Sequence, residues 1–453
     1  MWAFIENAIV AIAKRLGLSL VRKPVLTDNY SNYQTISLTA VIANRLSTIT
    51  LSDSTIQVKG GNARARYISS YVENVLMPKL NEACEVSLGT GDVLLKPFTD
   101  GKVIGLSIIR NEHFYICDCV GDYIKACIVK CDEVTKTNGV KYERYETQRI
   151  GKATDIYGNE IDVLFIYEQA FCNGKEVALS TIPEWSTIEP FMYIPNCNHV
   201  LFGRIKCPTV NRNDVNGVNG VPITYGLDDV MSKAVESYYR YNKEYEIKES
   251  AIFADKTVFT KNKQTGELEM PLLKETRGKK VFMLCNRNSD NNTSVSDLVQ
   301  SFSPEIRSAA MSESITTNFK MLEMLCGLSS GILSEPTTNF ATATEMKASL
   351  SATYAYCTRF RRNIEAGVNE LLSAINVLCN YNDITPIGTY NVTYDWSSSY
   401  IENYNEQYER LLKGYDVGIV SKEELRSWLM DEPIDVAKAN MPTDLRGNDL
   451  DSK

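Results

Sequence analysis

The chain has 453 residues, 44% hydrophobic and 23% charged. That is apolar enough for folded lobes, about three at roughly 150 residues each, and too apolar for a disordered chain. Lys+Arg 48 against Asp+Glu 56 leaves −8, which argues against a protein that grips phosphates through a basic excess. No run approaches the roughly 18 apolar residues of a membrane span, and MWAFIENAIVAIAKRLG, with Glu6 and Asn7 in its apolar run, is not expected to be a secretory signal.

The acidity is uneven. From Asp395 to Lys453 there are 13 acids and 7 bases, so most of the excess sits in the tail. Twelve cysteines without such a signal suggest reduced thiols. Cys117, Cys119, Cys127 and Cys131 cluster, but C-x-C and C-x-x-x-C depart from zinc spacing. Each pair is expected to share a strand face as core thiols.

In chain order, residues 1–17 read as an amphipathic helix with Phe4, Ile5, Ile9, Ile12 and Leu16 on one side. Docking on the same protein is expected rather than a membrane surface. Thr27 to Thr35 reads as a loop. Ile68, Tyr71, Val72, Val75 and Leu76 form a helical stripe that Pro78 should end or kink. From Val93 to about Gln169 the apolar period is two. Hairpin signals stand at Asp100-Gly101, Asn138-Gly139, Gly158-Asn159 and Asn173-Gly174, so this lobe is antiparallel. Asn211 to Asn219 is a polar loop.

Leu227, Met231, Ala234, Tyr238, Tyr241 and Tyr245 are spaced 4, 3, 4, 3, 4, a seam suited to a second helix. A β-like insert, roughly Ala251 to Cys285, turns at Thr265-Gly266. The polar stretch NRNSDNNTS follows, then Ser303-Pro304 as a helix start. This second helix should stop at Gly327. After a loop of about 14 residues, Thr342 and Glu345 make a capping box. The helix they open should run to about Cys379, on the order of 55 Å. Met346, Leu350, Tyr354, Cys357, Phe360, Ile364, Val368, Leu371 and Ile375 mark its buried side. Two tail helices are expected, about Tyr400 to Lys413 and Lys422 to Met430, the second with a Ser421/Glu424 capping box.

Signatures of catalysis are sparse. There is no P-loop, and Gly89-Thr90-Gly91-Asp92 precedes a strand, where a dinucleotide fingerprint would follow one. His113 and His199 are the only histidines, and Asp228-Asp229 fits a helix N-terminus without catalysis. No cofactor or metal is called for. Arg359, Arg361 and Arg362 spread around a helix, which favours a solvated face or ion pairing over a phosphate-binding belt.

This order of elements resembles the portal proteins of tailed bacteriophages, of the type found in siphophages of Gram-positive hosts. The resemblance runs from about Arg66 to Glu432. It is carried by GTGDVLLKPFTDGKVIGLSII, ITYGLDDVMSKAVESYYRYNKEYEIKESAIF, CGLSSGILSEPTTNFATATEMKAS and ERLLKGYDVGIVSKEELRSWLMDE. The G-x-S-x-G in the third piece follows a helix, whereas a hydrolase elbow follows a strand.

The resemblance implies an α+β, elongated portal-type subunit: a wing (1–225), stem helix 1 (226–250), a small β clip (251–302), stem helix 2 (303–326), a tunnel loop (327–341), a long wing helix and following strand (342–394) and a helical crown (395–453). It implies a structural protein, not an enzyme, without cofactors. Such subunits form a homo-oligomeric ring, usually of twelve, at one capsid vertex of the virion, assembled in the host cytoplasm. Its implied partners are double-stranded DNA without sequence specificity, the large terminase, the head–tail adaptor, the major capsid protein and scaffold; no membrane partner is implied. Ser329, Ser330, Gly331, Ile332, Leu333, Ser334, Glu335 and Asn339 would be the DNA-facing tunnel loop. Met231, Tyr238, Tyr241, Met311, Ile315 and Phe319 would form the inter-subunit stem seam. The competing readings are another virion protein such as a head–tail connector, an enzyme with a site that sequence does not reveal, and a membrane-associated protein anchored by residues 1–17.

Overall fold

The computed structural model describes residues 12, 15, 37–52, 54–137, 139–155, 157–212, 218–247, 251–255, 260–261, 268–269, 281–284, 299–302, 308–334, 343–396, 411–430 and 434–439. Helix and sheet are mixed along the chain, as in an α+β fold. Of the N-terminal stripe, Ile12 is described, and it is fully buried against Cys117, Ala126, Ile128, Tyr145 and Phe171. At that residue the segment docks on the protein itself. The rest of the stripe, and the loop Thr27 to Thr35, lie outside the described residues.

Helix α1 (Leu38–Leu51) was not expected from sequence. Ser37 caps it, its Oγ accepting from the Ala40 N–H, and Leu38, Ile42 and Leu46 enter the main core. Strand β1 (Thr55–Lys59) pairs antiparallel with a strand near the other end of the described chain, Asn391–Asp395. The stripe around Ile68 is helical as read: Ile68 and Tyr71 lie in α2 (Ala63–Tyr71), Val72, Val75 and Leu76 in the π-helical turn that follows, and α3 (Met77–Thr90) continues from it. Pro78 does not end the helix. A π-helical turn, Val72–Leu76, precedes it, so the helical backbone widens locally just before Pro78 and continues through it into α3.

Strands β2 (Asp92–Thr99) and β3 (Ile104–Arg110) form the hairpin at Asp100-Gly101. Asp100 Oδ1 accepts from the Lys102 and Val103 N–H groups at 2.9 Å, and Gly101 sits at φ +91. Then come β4 (Phe114–Val120), β5 (Tyr123–Thr135), β6 (Lys141–Thr154), β7 (Glu160–Cys172) and β8 (Lys175–Val177), antiparallel in that order, with β9 (Phe191–Pro195) also on β7. Gly139, Gly158, Asn173 and Gly174 all take positive φ at the predicted turns. Strand β10 (Gly203–Lys206) completes a smaller sheet, β10-β2-β3.

The cysteine expectation needs one correction. Cys127 and Cys131 do serve the same core as Leu164 and Ile166, but Cys117 and Cys119 do not share a face. Ile116 pairs with Cys127 and Asp118 with Ala126, so Cys117 is the extra residue of a β-bulge. Cys117 therefore packs with Ile12, and Cys119 packs on the opposite side. Burial pushes the Cys117 and Cys131 thiols up to about 12, which suits inert core thiols.

Between the two sheets, Leu94, Leu164, Ile166 and Phe202 form one part of the core. Beside it lies an ionic cluster. Lys96 of β2 reaches Glu146 of β6 at 2.8 Å, Arg144 reaches Glu168 of β7 at 2.8 Å, and the Glu146 charge acts on the Glu168 carboxyl. Burial and the Glu146 charge push Glu168 up to about 8, while Lys96 and Gln148 hold Glu146 below the usual carboxylate range despite its burial.

Helix α4 (Asp228–Ile247) and helix α5 (Ser308–Leu325) pack on each other. Between them in sequence lie β11 (Ala251–Asp255), β12 (Thr260–Lys261), β13 (Leu268–Glu269), β14 (Val281–Leu284) and β15 (Val299–Phe302). The β12–β13 hairpin brackets Thr265-Gly266 as read. The sheet β14-β11-β15 was read only in part: β15 falls where a polar lead-in was expected, and β11 pairs parallel with β14. Ser303-Pro304 lies outside the described residues.

Helix α6 (Ala343–Tyr381) is the predicted long helix, about 58 Å at 1.5 Å per residue. Cys357, Phe360, Ile364, Val368, Leu371 and Ile375 are buried along one side of it. Thr342, the cap of the Thr342/Glu345 box, lies outside the described residues. Strand β16 (Asn391–Asp395) follows, then α7 (Lys422–Met430) and an unexpected short α8 (Ile434–Ala439). The Ser421/Glu424 box is made: the Ser421 N–H donates to Glu424 Oε2 at 2.8 Å, and the Glu424 N–H to Ser421 Oγ at 3.2 Å. Of the first tail helix, residues 411–416 are described and helical.

Candidate functional site

The helix pair has the apolar rows that its sequence spacing demands. Helix α4 opens with Asp228 and Asp229, which complement the N-terminal dipole. Asn318 Nδ2 donates to Ser237 Oγ at 3.1 Å across the pair, and Lys233, Glu236, Arg240, Met311 and Ser314 line the groove beside that bond. The six seam residues do not share one environment. Met231 is 2% exposed in the chain's own core, with Leu322 and Cys326, which corrects its assignment to a surface between subunits. Phe319 packs half-buried on the same core. Tyr238 is exposed, and Tyr241, Met311 and Ile315 are half-buried, which leaves surface for a partner.

Gly327 stops α5 as read, and the stop is a Schellman motif. Gly327 has φ +71; its N–H donates to the Met324 carbonyl at 3.1 Å, and the Leu328 N–H to the Glu323 carbonyl at 2.8 Å. The chain then folds back over the end of α5. Glu323, 1% exposed, turns its carboxylate into this bend. Its Oε1 accepts from the N–H groups of Gly331 at 3.1 Å, Leu333 at 2.6 Å and Ser334 at 2.8 Å, and its Oε2 accepts the Ser334 hydroxyl at 3.0 Å. On the other side, Ser329 and Thr353 of α6 exchange bonds: the Ser329 N–H to Thr353 Oγ1 at 2.9 Å, the Thr353 N–H to Ser329 Oγ at 3.2 Å.

The predicted DNA-facing loop therefore divides. Ser329 and Ser334 are buried, which removes them from any ligand-facing surface; each hydroxyl is engaged within the chain. Ile332 and Leu333 are half-buried on the main core, Gly331 is half-buried, and Ser330 is exposed. Glu335 and Asn339 lie outside the described residues. The G-x-S-x-G serine, Ser329, is bonded to Thr353, where a hydrolase elbow would set a base.

The arginines of TRFRR are spread as expected. Arg361 is tied down: its Nε donates to the Thr50 carbonyl at 3.1 Å, and its guanidinium lies over the Trp396 ring at 5.4 Å. Arg359 lies over Tyr356 at 5.5 Å. Among the described residues, no group of three or more His, Cys, Asp or Glu side chains could hold a metal ion, and no helix is long and apolar enough to cross a membrane.

Sequence reading missed Glu323 and Thr353. The available signal was an acid on the buried row of α5, four residues after Phe319 and three before Cys326, where an apolar residue is the rule.

Residues 226–438, just under half of the chain, match the family model described as "Phage portal protein, SPP1 Gp6-like". The matched segment contains the helix pair, the β-unit, the loop root, α6 and the tail helices. No curated protein matches the chain. Among solved structures, a chain of "Neck of empty GTA particle computed with C6 symmetry" is 12% identical, with 93% of this chain and 98% of that chain covered at a TM-score of 0.34. A likeness that loose carries no argument.

Proposed function

From the premise that residues 226–438 are those of a phage portal protein, a structural component of the virion, we propose that this chain is the subunit of a portal ring through which DNA enters the capsid and leaves it. In this reading α4 and α5 are the stem, with boundaries near 226–250 and 303–326. The β-unit 251–302 is the clip, 327–341 the tunnel loop, 1–225 with 342–394 the wing, and 395–453 the crown. The ring is of about twelve copies and sits at one capsid vertex. The clip meets the large terminase during packaging and the head–tail adaptor afterwards; the wing meets the major capsid protein and scaffold. The chain itself carries no catalytic function.

One observation carries the reading furthest: a helix pair with a β-unit between its members and a clamped loop leading into a 39-residue helix, all inside the family-matched segment. A closed ring needs two different faces on each subunit. The exposed Tyr238 and half-buried Tyr241, Met311 and Ile315 supply surface for one of them. The described loop residues Leu328 to Ser334 include no Lys or Arg, which suits a conduit that lets phosphates slide past.

Mass measurement with negative-stain imaging tests the proposal. A ring with a central hole, near about 610 kDa for twelve copies of 50.9 kDa, supports it. A holeless monomer that persists with scaffold present overturns it, as does ATP turnover by the purified chain.

A further inference from the structure

A buried carboxylate with four donors aimed at it is an anchor. At the end of α5, Glu323 collects the loop N–H groups of Gly331, Leu333 and Ser334 and one hydroxyl, and Thr353 holds the same bend from α6. Removing an acceptor that satisfies several buried donors leaves those donors unpaired, so such a network is made as a whole or lost as a whole. The bend it holds is short: Leu328 is buried in the main core, Ile332 and Leu333 are half-buried against it, and Ser330 is exposed. Backbone polar groups in this bend find their acceptors on one side chain, which replaces the ladder of a helix or sheet.

We propose that Glu323 is the positioning residue of the loop, a clamp that makes residues 327–334 a rigid bridge between the end of α5 and Thr353 of α6. A pull on the loop is then passed directly to both helices, because the loop root cannot swing independently of them. This role in the conduit rests on the portal reading; the clamp itself does not. Two helices joined through a buried charge network move together or break the network, and the charge gives the junction a single geometry.

Amide hydrogen exchange resolved to single residues tests the clamp on the full chain. In the wild type, the amides of Gly331, Leu333 and Ser334 should be protected to the same order as those in the last turn of α5. In Glu323→Gln they should exchange about tenfold faster or more, since a neutral amide oxygen is a weaker acceptor than a carboxylate for the same three N–H groups and the new amino group cannot accept from the Ser334 hydroxyl. Leu328 is the internal control. Its N–H is bonded to the backbone carbonyl of Glu323, so its protection should change less than about twofold. A general loosening of α5 would move Leu328 along with the rest and would overturn the assignment. Thr353→Val, which keeps the shape and removes one hydroxyl, should deprotect Ser329 and leave Gly331, Leu333 and Ser334 unchanged. If Glu323→Gln does not fold, the wild-type exchange together with Thr353→Val still decides: wild-type amides at 331, 333 and 334 exchanging like an open loop refute the clamp. Imaging of the same wild-type preparation separates the two ideas, because a chain that forms no ring defeats the portal reading while its exchange pattern still judges the clamp.

Discussion

Gly203 of β10 and Gly367 of α6 cross with no space for a side chain between them. A Cβ on Gly203 would stand 2.8 Å from the Leu371 nitrogen and closer still to the Gly367 carbonyl oxygen; a Cβ on Gly367 would meet the Arg204 carbonyl. The long helix lies against the small sheet at this point because both backbones lack a side chain there. Arg204 secures the crossing. Its N–H donates to Glu370 at 2.9 Å, and its buried guanidinium forks onto Asp92 at 3.0 and 2.8 Å while also reaching the Val218 carbonyl.

Gly203→Ala and Gly367→Ala should each destabilise the chain by about 3 kcal/mol or more, because backbone on both sides must move apart. Urea unfolding followed by circular dichroism would read this as a lower midpoint at unchanged slope. A loss under about 0.5 kcal/mol would mean that the crossing relaxes freely.

Arg64 is 2% exposed. Its five bonds go to neutral groups at the C-terminal end of α6: Thr385 Oγ1 and carbonyl at 2.7 Å, Asn380 Oδ1 at 2.8 Å, Asn376 Oδ1 at 3.1 Å and the Asn376 carbonyl at 3.3 Å. Carbonyls at a helix C-terminus favour a cation. Arg64→Lys should cost about 2 kcal/mol or more, since an ammonium cannot reproduce the planar fork. Thermal unfolding of the variant would show it; an unchanged midpoint would show that the fork is dispensable.

The Glu146–Glu168 pair predicts a pH dependence. Glu168 is raised to about 8 in the folded chain, against an ordinary value of 4.5. Between those values the folded chain holds a proton that the unfolded chain has released, so this contribution to stability falls as pH rises, by about 1.4 kcal/mol per unit at most. It is fully present below about 4.5 and gone above about 8. Glu146 acts in the opposite sense: it is lowered, so its contribution is lost as pH falls below the ordinary carboxylate range. Glu168→Gln should flatten the fall between pH 5 and 8 relative to wild type. Parallel curves for the two proteins would exclude the raised Glu168.

Ser421→Ala removes one half of the α7 capping box and should weaken that helix by about 1 kcal/mol. Faster proteolysis or amide exchange confined to residues 422–430 is the expected outcome. Because the box is exposed, the main core should not respond.

Replacing Ile332 and Leu333 by lysine is a poor probe of DNA contact, since both pack on the core and the substitution would disturb that packing. Ser330→Lys is the cleaner variant because Ser330 is exposed. In a reconstituted packaging system it should slow DNA passage by adding a phosphate contact to each subunit, an effect that weakens with salt. Unaltered rates at low salt would remove Ser330 from the channel wall.

The features legible from sequence are those whose causes lie within a few residues. Asp100-Gly101 and Asn173-Gly174 announce their turns because the required φ and the side-chain acceptor are local. Ser421 and Glu424 announce their cap, and the row from Cys357 to Ile375 announces the buried side of α6. The order of those elements was enough to suggest the portal family. The remaining features depend on partners far along the chain. The β-bulge that separates Cys117 from Cys119 depends on how β4 registers on β5. Strand β1 exists through β16, and the closeness of Gly203 and Gly367 appears only when strand and helix cross. Most plainly, the stretch after Gly327 reads only as a glycine-, serine- and proline-bearing loop of about 14 residues. Its first half is fixed because the fold buries the Glu323 carboxylate, and a buried charge must draw in donors wherever the chain can offer them.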